Sequence, residues 1–291
     1  MGETRDLNHR TVLVTGATSG IGLASATQLA GAGATVIIHG PSRRATAAAR
    51  VHIASAVPTA DLHEAAADLS SQAAVRKLAT EVQSRFDRLD VLINNAAAVF
   101  DRWSANGDGV ELTFAVNHLA PYLLTRLLLP TLARSHEGRV VIVASEAHRT
   151  ITWDAEALEP SAPYERFEAY ARSKLANLLF NAELARRLED SAVTTNAAHP
   201  GTFRSRLFRP RNLGERMVMP VLNLKAATPA VGADTVAWLV SAPELAGLSG
   251  GYFFRRRLLE PSAEATDAAT ARELWTFSAE LTGLSDDLGV R

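Results

Sequence analysis

The chain has 291 residues, of which 47% are hydrophobic and 21% are charged, and its formal net charge is −1. This composition is typical of a folded protein with a sizeable core, and the balanced charge argues against a nucleic-acid partner. Cysteine is absent, which excludes disulfides, thiolate catalysis and cysteine-ligated metals.

No part of the sequence has the pattern of a targeting or membrane segment. The polar start of the chain lacks the apolar core of a signal sequence. The longest apolar region, residues 119–133, is interrupted by Pro121, Arg126 and Pro130, and it is too short to cross a bilayer. We therefore expect no transmembrane segment and a cytoplasmic location.

Strand-like and helical segments alternate along most of the chain. Apolar or β-branched runs predict strands at residues 11–15, 35–39, 91–94, 139–144 and 194–199. Helices are predicted between them at residues 23–32, 43–56, 71–86, 109–135 and 167–188. A further strand is expected within residues 60–67, where only the alternation supports it. This order predicts an α/β fold with three layers, a doubly wound parallel sheet between helices, in a single domain covering residues 1–291.

The alternation weakens beyond Gly201. Residues 203–228 are irregular and rich in arginine, with Glu215 as the one acid. An irregular segment of this length in a compact domain is either a functional lid or disorder, and we assign it as a substrate lid. A helix at residues 229–241, a strand at 250–254 and a helix at 265–281 are predicted to complete the chain.

Residues 11–22, TVLVTGATSGIG, join a buried strand to a glycine turn and the start of a helix. Gly16, Gly20 and Gly22 let the backbone turn and approach a ligand closely, and the helix N-terminus presents unpaired N–H groups to an anion. The segment therefore predicts a site for a nucleotide pyrophosphate. Its spacing differs from the G-x-G-x-x-G fingerprint, so a glycine turn without a ligand is the alternative.

Tyr170 and Lys174 lie one turn apart on a predicted helix and share one face. A phenol with a pKa near ~10 is a poor acid or base at neutral pH, and we expect the adjacent ammonium to lower that pKa. Tyr170 can then exchange a proton with a carbonyl or hydroxyl oxygen while a hydride moves at carbon. Ser145 follows a predicted strand and can polarise the same oxygen. A serine hydrolase is the rival interpretation, but the G-x-S-x-G elbow is missing.

Together these motifs resemble those of the short-chain dehydrogenase/reductase family over nearly the whole chain. The matching stretches are TG-x-x-x-GIG from Thr15, Asn94-Asn95-Ala96, Ser145 and Tyr170-x-x-x-Lys174. Ala97 stands where the family has a glycine, and Ala144 replaces the first of a serine pair whose catalytic second member corresponds to Ser145. The resemblance implies a Rossmann-type fold and a nicotinamide cofactor.

The resemblance also implies roles for individual residues. The catalytic set would be Asn117, Ser145, Tyr170 and Lys174, with Asn117 completing a proton path through water to Lys174. The pyrophosphate turn would consist of Gly16, Thr18, Ser19, Gly20, Ile21 and Gly22. The remaining cofactor contacts would be Asp68 and Leu69 at the adenine, Asn95, Ala96, Tyr170 and Lys174 at the ribose, and Pro200, Gly201 and Thr202 beside the nicotinamide. Asp68 also suits a helix N-terminus, and the asparagines also suit an ordinary turn.

The sequence after the second strand favours NADP over NAD. An acidic residue about 20 positions past the glycines usually marks NAD, but no Asp or Glu lies between Asp6 and Asp61. Ser42, Arg43 and Arg44 stand there instead. Serine and arginine bind a 2′-phosphate, which a carboxylate would repel. The alternative is that the two arginines merely begin a solvated helix.

Three features resemble the retinol-dehydrogenase-like branch: a long insert at residues 146–169, the helix sequence YARSKLANLLF and the carboxyl-terminal sequence. This branch implies a lipophilic alcohol or carbonyl as the small-molecule substrate. The insert and the lid are predicted to line its pocket, although their apolar residues could equally be core. Those residues are Trp153, Phe203, Leu207, Phe208, Met217 and Met219.

Several functional questions stay open at this point. The histidines show no metal-ligand spacing, so we expect no metal, and we expect His148 to be packed or at the surface. Relatives commonly pair through the long helices after strands four and five, so Leu123, Leu127 and Leu128 suit either a homo-oligomer interface or the core. A catalytically silent NADP-binding sensor or scaffold is the main alternative function. An epimerase or dehydratase that retains its cofactor is the second.

Overall fold

The computed structural model describes residues 6–201 and 228–288, and its strands form one sheet. The strands are β1 (Thr11–Val14), β2 (Thr35–Gly40), β3 (Leu62–Ala66), β4 (Val91–Asn94), β5 (Gly138–Val143), β6 (Val193–Ala198), β7 (Tyr252–Phe254) and β8 (Arg257–Leu259). Their order across the sheet is β3-β2-β1-β4-β5-β6-β7-β8. All neighbours pair in parallel except β7 and β8, which are antiparallel.

Helices cover both faces of the sheet. They are α1 (Gly20–Gly31), α2 (Arg43–Ala56), α3 (Gln72–Arg85), α4 (Leu112–Leu132), α5 (Arg166–Arg187), α6 (Pro229–Ser241), α7 (Ala263–Thr266) and α8 (Ala268–Thr282). On one face α1 packs on α6, and on the other α3 packs on α4 and α8 packs on α5. Short 3₁₀ turns lie at Glu146–Thr150, Glu156–Leu158 and Pro243–Leu245.

Alternate residues of each central strand enter two separate cores. Leu13, Ile37 and Leu92 pack with α3, α4 and α5, whereas Val12 and Val14 pack with α1 and α6. Strands buried on both faces need continuous apolar sequences, as β1, β2 and β4 have. The predicted three-layer, doubly wound fold in a single domain is confirmed.

Strand β3 is the strand that was expected within residues 60–67 only because strands and helices alternate along the chain. It pairs in parallel with β2 from Val36 opposite Leu62 to Gly40 opposite Ala66. Its sequence is poor in apolar residues because β3 lies at the edge of the sheet, where a charged or polar sequence is tolerated.

The carboxyl-terminal region differs from the prediction in two places. The single helix predicted at residues 265–281 is divided into α7 and α8 at Asp267, whose carboxylate accepts a hydrogen bond of 2.7 Å from the Thr270 amide. Strand β8 was not predicted, and it follows a tight turn in which Arg255 and Arg256 have positive φ angles. Nearly all of the predicted lid lies outside the described residues.

Helix α4 is the long helix predicted at residues 109–135, and it begins later than expected. Glu111 caps its start by accepting hydrogen bonds from the Thr113 and Phe114 amides. Within the described ranges, α4 is the one helix whose length and hydropathy would suit a membrane span, but 83% of its apolar window is buried inside the protein. Leu123 and Leu128 are core residues, and Leu127 packs partly against that core.

Candidate active site

The glycine turn after β1 packs closely against the end of β4. Gly16 and Gly20 have φ angles of +65° and +56°, where residues with a side chain are strained. A Cβ on Gly16 would lie 2.8 Å from Ala96 Cα, and one on Gly22 would lie 2.3 Å from the Gly16 carbonyl oxygen. The turn therefore requires glycine at positions 16 and 22.

Asn95 connects the ends of β1 and β4. Its side-chain Nδ2 donates to the Thr15 carbonyl at 2.8 Å, while the Asn95 and Ala96 amides donate to Thr15 Oγ1 at 2.9 and 3.1 Å. These contacts go beyond an ordinary asparagine turn. Asn94 is buried and donates instead to Thr125 Oγ1 at 2.8 Å.

His39 holds the same turn from the other side, a contact that the sequence interpretation missed. Its Nδ1 accepts from the Gly16 amide at 3.3 Å, and its Nε2 donates to the Ala67 carbonyl at 3.1 Å. The bond that Nδ1 accepts requires a neutral imidazole, and burial lowers the pKa of His39 to about 4. An apolar strand that ends in histidine beside a glycine turn is the sequence signal for such a contact.

The first turn of α1 is open to an anion. Ser19 makes no side-chain cap, and no acidic residue lies in that turn. By contrast, the Ser42 and Ser71 hydroxyls cap α2 and α3 at 3.3 Å each. The first N–H groups of α1 thus lack a side-chain acceptor, as an anion site at a helix N-terminus requires.

The other residues predicted in the glycine turn have different environments. Thr18 is half-buried, and its methyl group fills the space that a Cβ on Gly40 would need. Ile21 is buried, and its side chain packs so closely on α6 that a Cβ on Gly232 would lie 3.2 Å from it. Ile21 is thus a packing residue, whereas Ser19 and Gly20 are exposed.

The residues predicted for the adenosine end follow β2 and β3. Ser42, Arg43 and Arg44 are exposed at the start of α2. Asp68 accepts a 2.9 Å hydrogen bond from the Ser70 amide in a local turn, whereas the N-terminus of α3, the alternative place for Asp68, is capped by Ser71. Leu69 is buried in the core. Because β2 and β3 are neighbours, these residues share one edge of the sheet.

Tyr170, Lys174 and Ser145 meet between α5 and the end of β5. The Tyr170 hydroxyl is hydrogen-bonded to the Ser145 side chain. Lys174 Nζ lies 5.7 Å from the centre of the Tyr170 ring and donates to the Val143 carbonyl at 2.8 Å. Strand β5 and helix α5 therefore bring together three of the four predicted catalytic residues.

The pKa of Tyr170 shifts in the direction opposite to the prediction. Burial raises it, and the hydrogen bond with Ser145 only partly opposes that effect. Burial also lowers the pKa of Lys174 to about 8, because a charged ammonium loses its hydration inside the protein. The sequence indicated the neighbouring charge but not the burial of both groups.

Asn117, the fourth predicted catalytic residue, is fully buried in α4. Its Oδ1 accepts from the Ala98 amide at 2.7 Å, and its Nδ2 donates to the Ala98 carbonyl at 2.9 Å and to Ser173 Oγ at 3.1 Å. Asn117 therefore clamps the segment after β4 to the helix that carries Tyr170 and Lys174. Sequence reasoning did not find Ser173, although it lies between those two residues.

The residues around Ser145 and β6 complete this edge. His148 is packed, as expected: its Nδ1 donates to the Ser145 carbonyl at 2.7 Å, and its Nε2 accepts from the Ser262 amide at 3.1 Å. Pro200 and Gly201 follow β6, and the φ angle of Gly201 is +90°. Thr202 lies outside the described residues.

Of the apolar residues predicted to line a pocket, Trp153 is described. Its ring packs against Phe114 and Phe277 at centre distances of 5.8 and 6.0 Å, so it contributes to the core of that face. The others lie outside the described residues: Phe203, Leu207, Phe208, Met217 and Met219. Within residues 6–201 and 228–288, no group of three or more His, Asp or Glu side chains is arranged to hold a metal ion.

The ends of six parallel strands, β1 to β6, thus meet at one edge of the sheet. They bring an uncapped helix N-terminus, a hydrogen-bonded Tyr–Ser pair and a buried lysine to this same edge. Ligands of open α/β sheets bind at this edge, so the fold and the site define a dinucleotide-binding α/β protein.

Comparison with known proteins identifies the family. The family model "short chain dehydrogenase" matches residues 10–216. Retinol dehydrogenase 14 from Homo sapiens is 38% identical over 300 residues, covering 96% of this chain and 88% of that protein. An uncharacterised protein from Mycobacterium paratuberculosis has a TM-score of 0.81 and 31% identity, covering 99% of this chain and 98% of its own. The Pseudomonas aeruginosa RhlG/NADP active-site complex has a TM-score of 0.69 and 28% identity, covering 93% of this chain and 100% of its own.

The chain belongs to the short-chain dehydrogenase/reductase family and is retinol-dehydrogenase-like. It is a short-chain oxidoreductase that uses a nicotinamide cofactor. The family and the branch that the sequence motifs predicted are confirmed.

Proposed function

We propose that this protein transfers a hydride between NADP and a lipophilic alcohol or carbonyl compound, with Tyr170 as the general acid or base. The observation that carries the proposal is the hydrogen-bonded Tyr170–Ser145 pair beside buried Lys174, at the edge where the first turn of α1 is uncapped. The name retinol dehydrogenase among the relatives supports a lipophilic substrate.

The residues of this site have complementary tasks. When bound, the nicotinamide gives or accepts the hydride. Ser145 holds the substrate oxygen by a hydrogen bond and polarises the carbonyl. Tyr170 donates a proton to that oxygen during reduction or removes it during oxidation. Lys174 brings a positive charge near Tyr170 that acts against the burial which raises the pKa of this tyrosine, and Asn117 holds the helix that carries both residues against the segment after β4.

The residues at the end of β2 support NADP. Arg43 and Arg44 are exposed at the first turn of α2, with no acidic side chain at the end of β2. Two guanidinium groups can bind a 2′-phosphate through charge-assisted hydrogen bonds. RhlG, which shares the fold, is described in complex with NADP.

The test combines cofactor binding with turnover. NADPH and NADH are titrated into the wild type and into an Arg43→Ala/Arg44→Ala variant while tryptophan fluorescence is followed. Turnover is measured with NADPH and retinal, decanal or a steroid ketone. We expect tighter binding of NADPH than of NADH, lost in the double variant. Tyr170→Phe should bind NADPH normally but react about 10²- to 10⁴-fold more slowly.

Two matched variants control this experiment. Arg50→Ala removes an exposed arginine further along α2 and should leave the preference for NADPH intact. Tyr164→Phe removes the hydroxyl that bonds Thr113 and should leave turnover nearly unchanged. A preference for NADH would refute the role of the two arginines. NADPH binding without turnover would favour a sensor or scaffold, and cofactor that survives dialysis would favour an epimerase or dehydratase.

A further inference from the structure

One turn of α4 is π-helical, and it contains Asn117. The turn is Ala115–Leu119, and it is closed by a hydrogen bond from the Ala120 amide to the Ala115 carbonyl. In a regular α-helix the Asn117 carbonyl would accept from the amide of residue 121, but that residue is Pro121, which has no N–H. The Asn117 carbonyl is therefore left without its usual helical donor.

Asn177 of α5 supplies a donor to this carbonyl. Its Nδ2 donates to the Asn117 carbonyl oxygen at 3.0 Å, and Asn177 is almost fully buried. The side chain of Asn117 reaches Ser173, on the same helix, at 3.1 Å. Both the backbone and the side chain of Asn117 are thus held by α5, the helix that carries Tyr170 and Lys174.

The hydrogen bonding continues from Asn177 to the carboxyl-terminal helix. Because Asn177 Nδ2 donates to Asn117, its Oδ1 is the acceptor for His118 Nδ1, at 3.3 Å. His118 Nε2 then accepts from the Ser278 hydroxyl of α8, at 3.0 Å. In this order every group has a partner, and the imidazole is neutral.

The surroundings of His118 keep it neutral. The residue is fully buried, and its ring contacts Phe114, Tyr122 and Phe180. Burial lowers the pKa of His118 to about 3, although the bond with Asn177 acts in the other direction. A neutral imidazole has one donor and one acceptor, which suits a chain of hydrogen bonds with a fixed direction.

We propose that Asn177, supported by His118 and Ser278, is a positioning residue for Asn117. It replaces the helical donor that Pro121 cannot provide and keeps the side chain of Asn117 on Ala98 and Ser173. The catalytic consequence rests on the proposed function, in which Asn117 holds the Tyr170–Lys174 helix against the segment after β4. Asn177 itself does not take part in the reaction.

The test uses Asn177→Asp, which keeps the shape and the acceptor for His118 but removes the donor to Asn117. The first readout is hydrogen exchange at the Ala98 amide, which donates to Asn117 Oδ1, and this readout is independent of activity. We expect faster exchange there. The second readout is turnover of retinal with NADPH: kcat should fall about tenfold to a hundredfold with KM nearly unchanged, and the solvent deuterium isotope effect on kcat should rise.

Asn181→Asp is the matched control. Asn181 is a second buried amide one turn further along α5, where its Nδ2 donates to the Gly251 carbonyl and its Oδ1 accepts from Thr195. The same isosteric change there should destabilise the protein without affecting Ala98 exchange or the isotope effect. Equal effects of the two variants, or unchanged Ala98 exchange in Asn177→Asp, would overturn the proposal.

Two further variants complete the design. If Asn177→Asp fails to fold, Ser278→Ala removes the far end of the same chain of bonds, and Ala98 exchange decides in the same way. Asn117→Ala separates this inference from the proposed function. Full activity of Asn117→Ala would refute the catalytic role of Asn117, whereas an inactive Asn117→Ala beside a fully active Asn177→Asp would refute the positioning role alone.

Discussion

At the scale of single residues, His39 shows how a neutral imidazole supports a ligand-binding turn. It joins the Gly16 amide to the Ala67 carbonyl and so connects the ends of β1, β2 and β3. Protonation would remove the acceptor for Gly16 and place a charge where little water can reach it. The turn after β1 therefore depends on the ionisation state of a residue that lies in the next strand.

This dependence predicts how stability varies with pH. The pKa of His39 is about 4 in the folded protein against 6.5 ordinarily, so the unfolded chain binds the proton more readily. The contribution of His39 is complete above pH 6.5 and is lost as the pH falls towards 4. Urea unfolding at a series of pH values should show the stability gap between wild type and His39→Asn shrinking by on the order of 3 kcal/mol over that interval.

The control for this prediction is His52→Asn, on the exposed surface of α2. Its stability should stay parallel to that of the wild type throughout the same pH series. Parallel curves for wild type and His39→Asn would instead show that the turn does not need the neutral imidazole.

The residue scale also shows where reasoning from the sequence ends. The grouping of Ser145, Tyr170 and Lys174 was predictable, because strand ends of a parallel sheet meet at one edge and residues one turn apart share a helix face. The direction in which the pKa of Tyr170 shifts was not predictable. It depends on how deeply α5 is buried, and that is decided by distant segments such as α8.

At the scale of elements, the caps of α2 and α3 allow two functions of one serine to be separated. Ser42 and Ser71 accept hydrogen bonds of the same length, 3.3 Å, from the amides of Ala45 and Ala74. Ser42 is also a proposed contact for the 2′-phosphate, whereas Ser71 is not. The two serines are therefore natural controls for each other.

Replacing either serine by alanine removes an equivalent side-chain cap from the helix that it begins. Ser42→Ala and Ser71→Ala should each lower the free energy of unfolding by about 1 kcal/mol, measured by urea denaturation. Only Ser42→Ala should also weaken NADPH binding relative to NADH. Equal NADPH affinity in both variants would restrict Ser42 to its structural role.

The elements themselves were largely predictable, and each difference has a local cause. Strand β3 followed from the alternation although its own sequence is weak. The predicted helix at 265–281 is divided because the carboxylate of Asp267 caps the second half. The π-turn of α4 could not be found from periodicity, because it depends on a partner in α5, although Pro121 four residues after Asn117 is the visible sign of it.

At the scale of the whole molecule, the carboxyl-terminal helix is part of the face that carries the site. Trp275 of α8 is buried against Tyr122 and Phe180, with ring centres 5.1 and 5.9 Å away. The guanidinium carbons of Arg126 and Arg187 lie 4.8 and 4.3 Å from the ring centre. This tryptophan therefore joins α4, α5 and α8 into one packed unit.

Removing that ring should affect the whole face. We expect Trp275→Ala to lower the free energy of unfolding by about 3–5 kcal/mol, measured by urea denaturation. Trp238→Ala is the control, because Trp238 is only half-buried on the opposite face, and its loss should be smaller. A loss for Trp275→Ala no larger than that for Trp238→Ala would mean that α8 is not essential to the packing of α4 and α5.

The π-turn has a consequence for how this chain tolerates changes of length. A π-turn contains one residue more than an α-turn, and each added residue rotates the following side chains by about 100° around the helix axis. Because the π-turn absorbs that residue, deleting one residue between 115 and 119 would give a regular helix with its two halves in phase, whereas regular α-helical geometry without a deletion would rotate the two halves by about 100° relative to each other. The undeleted helix could then bury Leu123 and Leu128 or direct Asn117 towards Ser173, but not both. The phase of the apolar half and the position of Asn117 thus depend together on the π-turn.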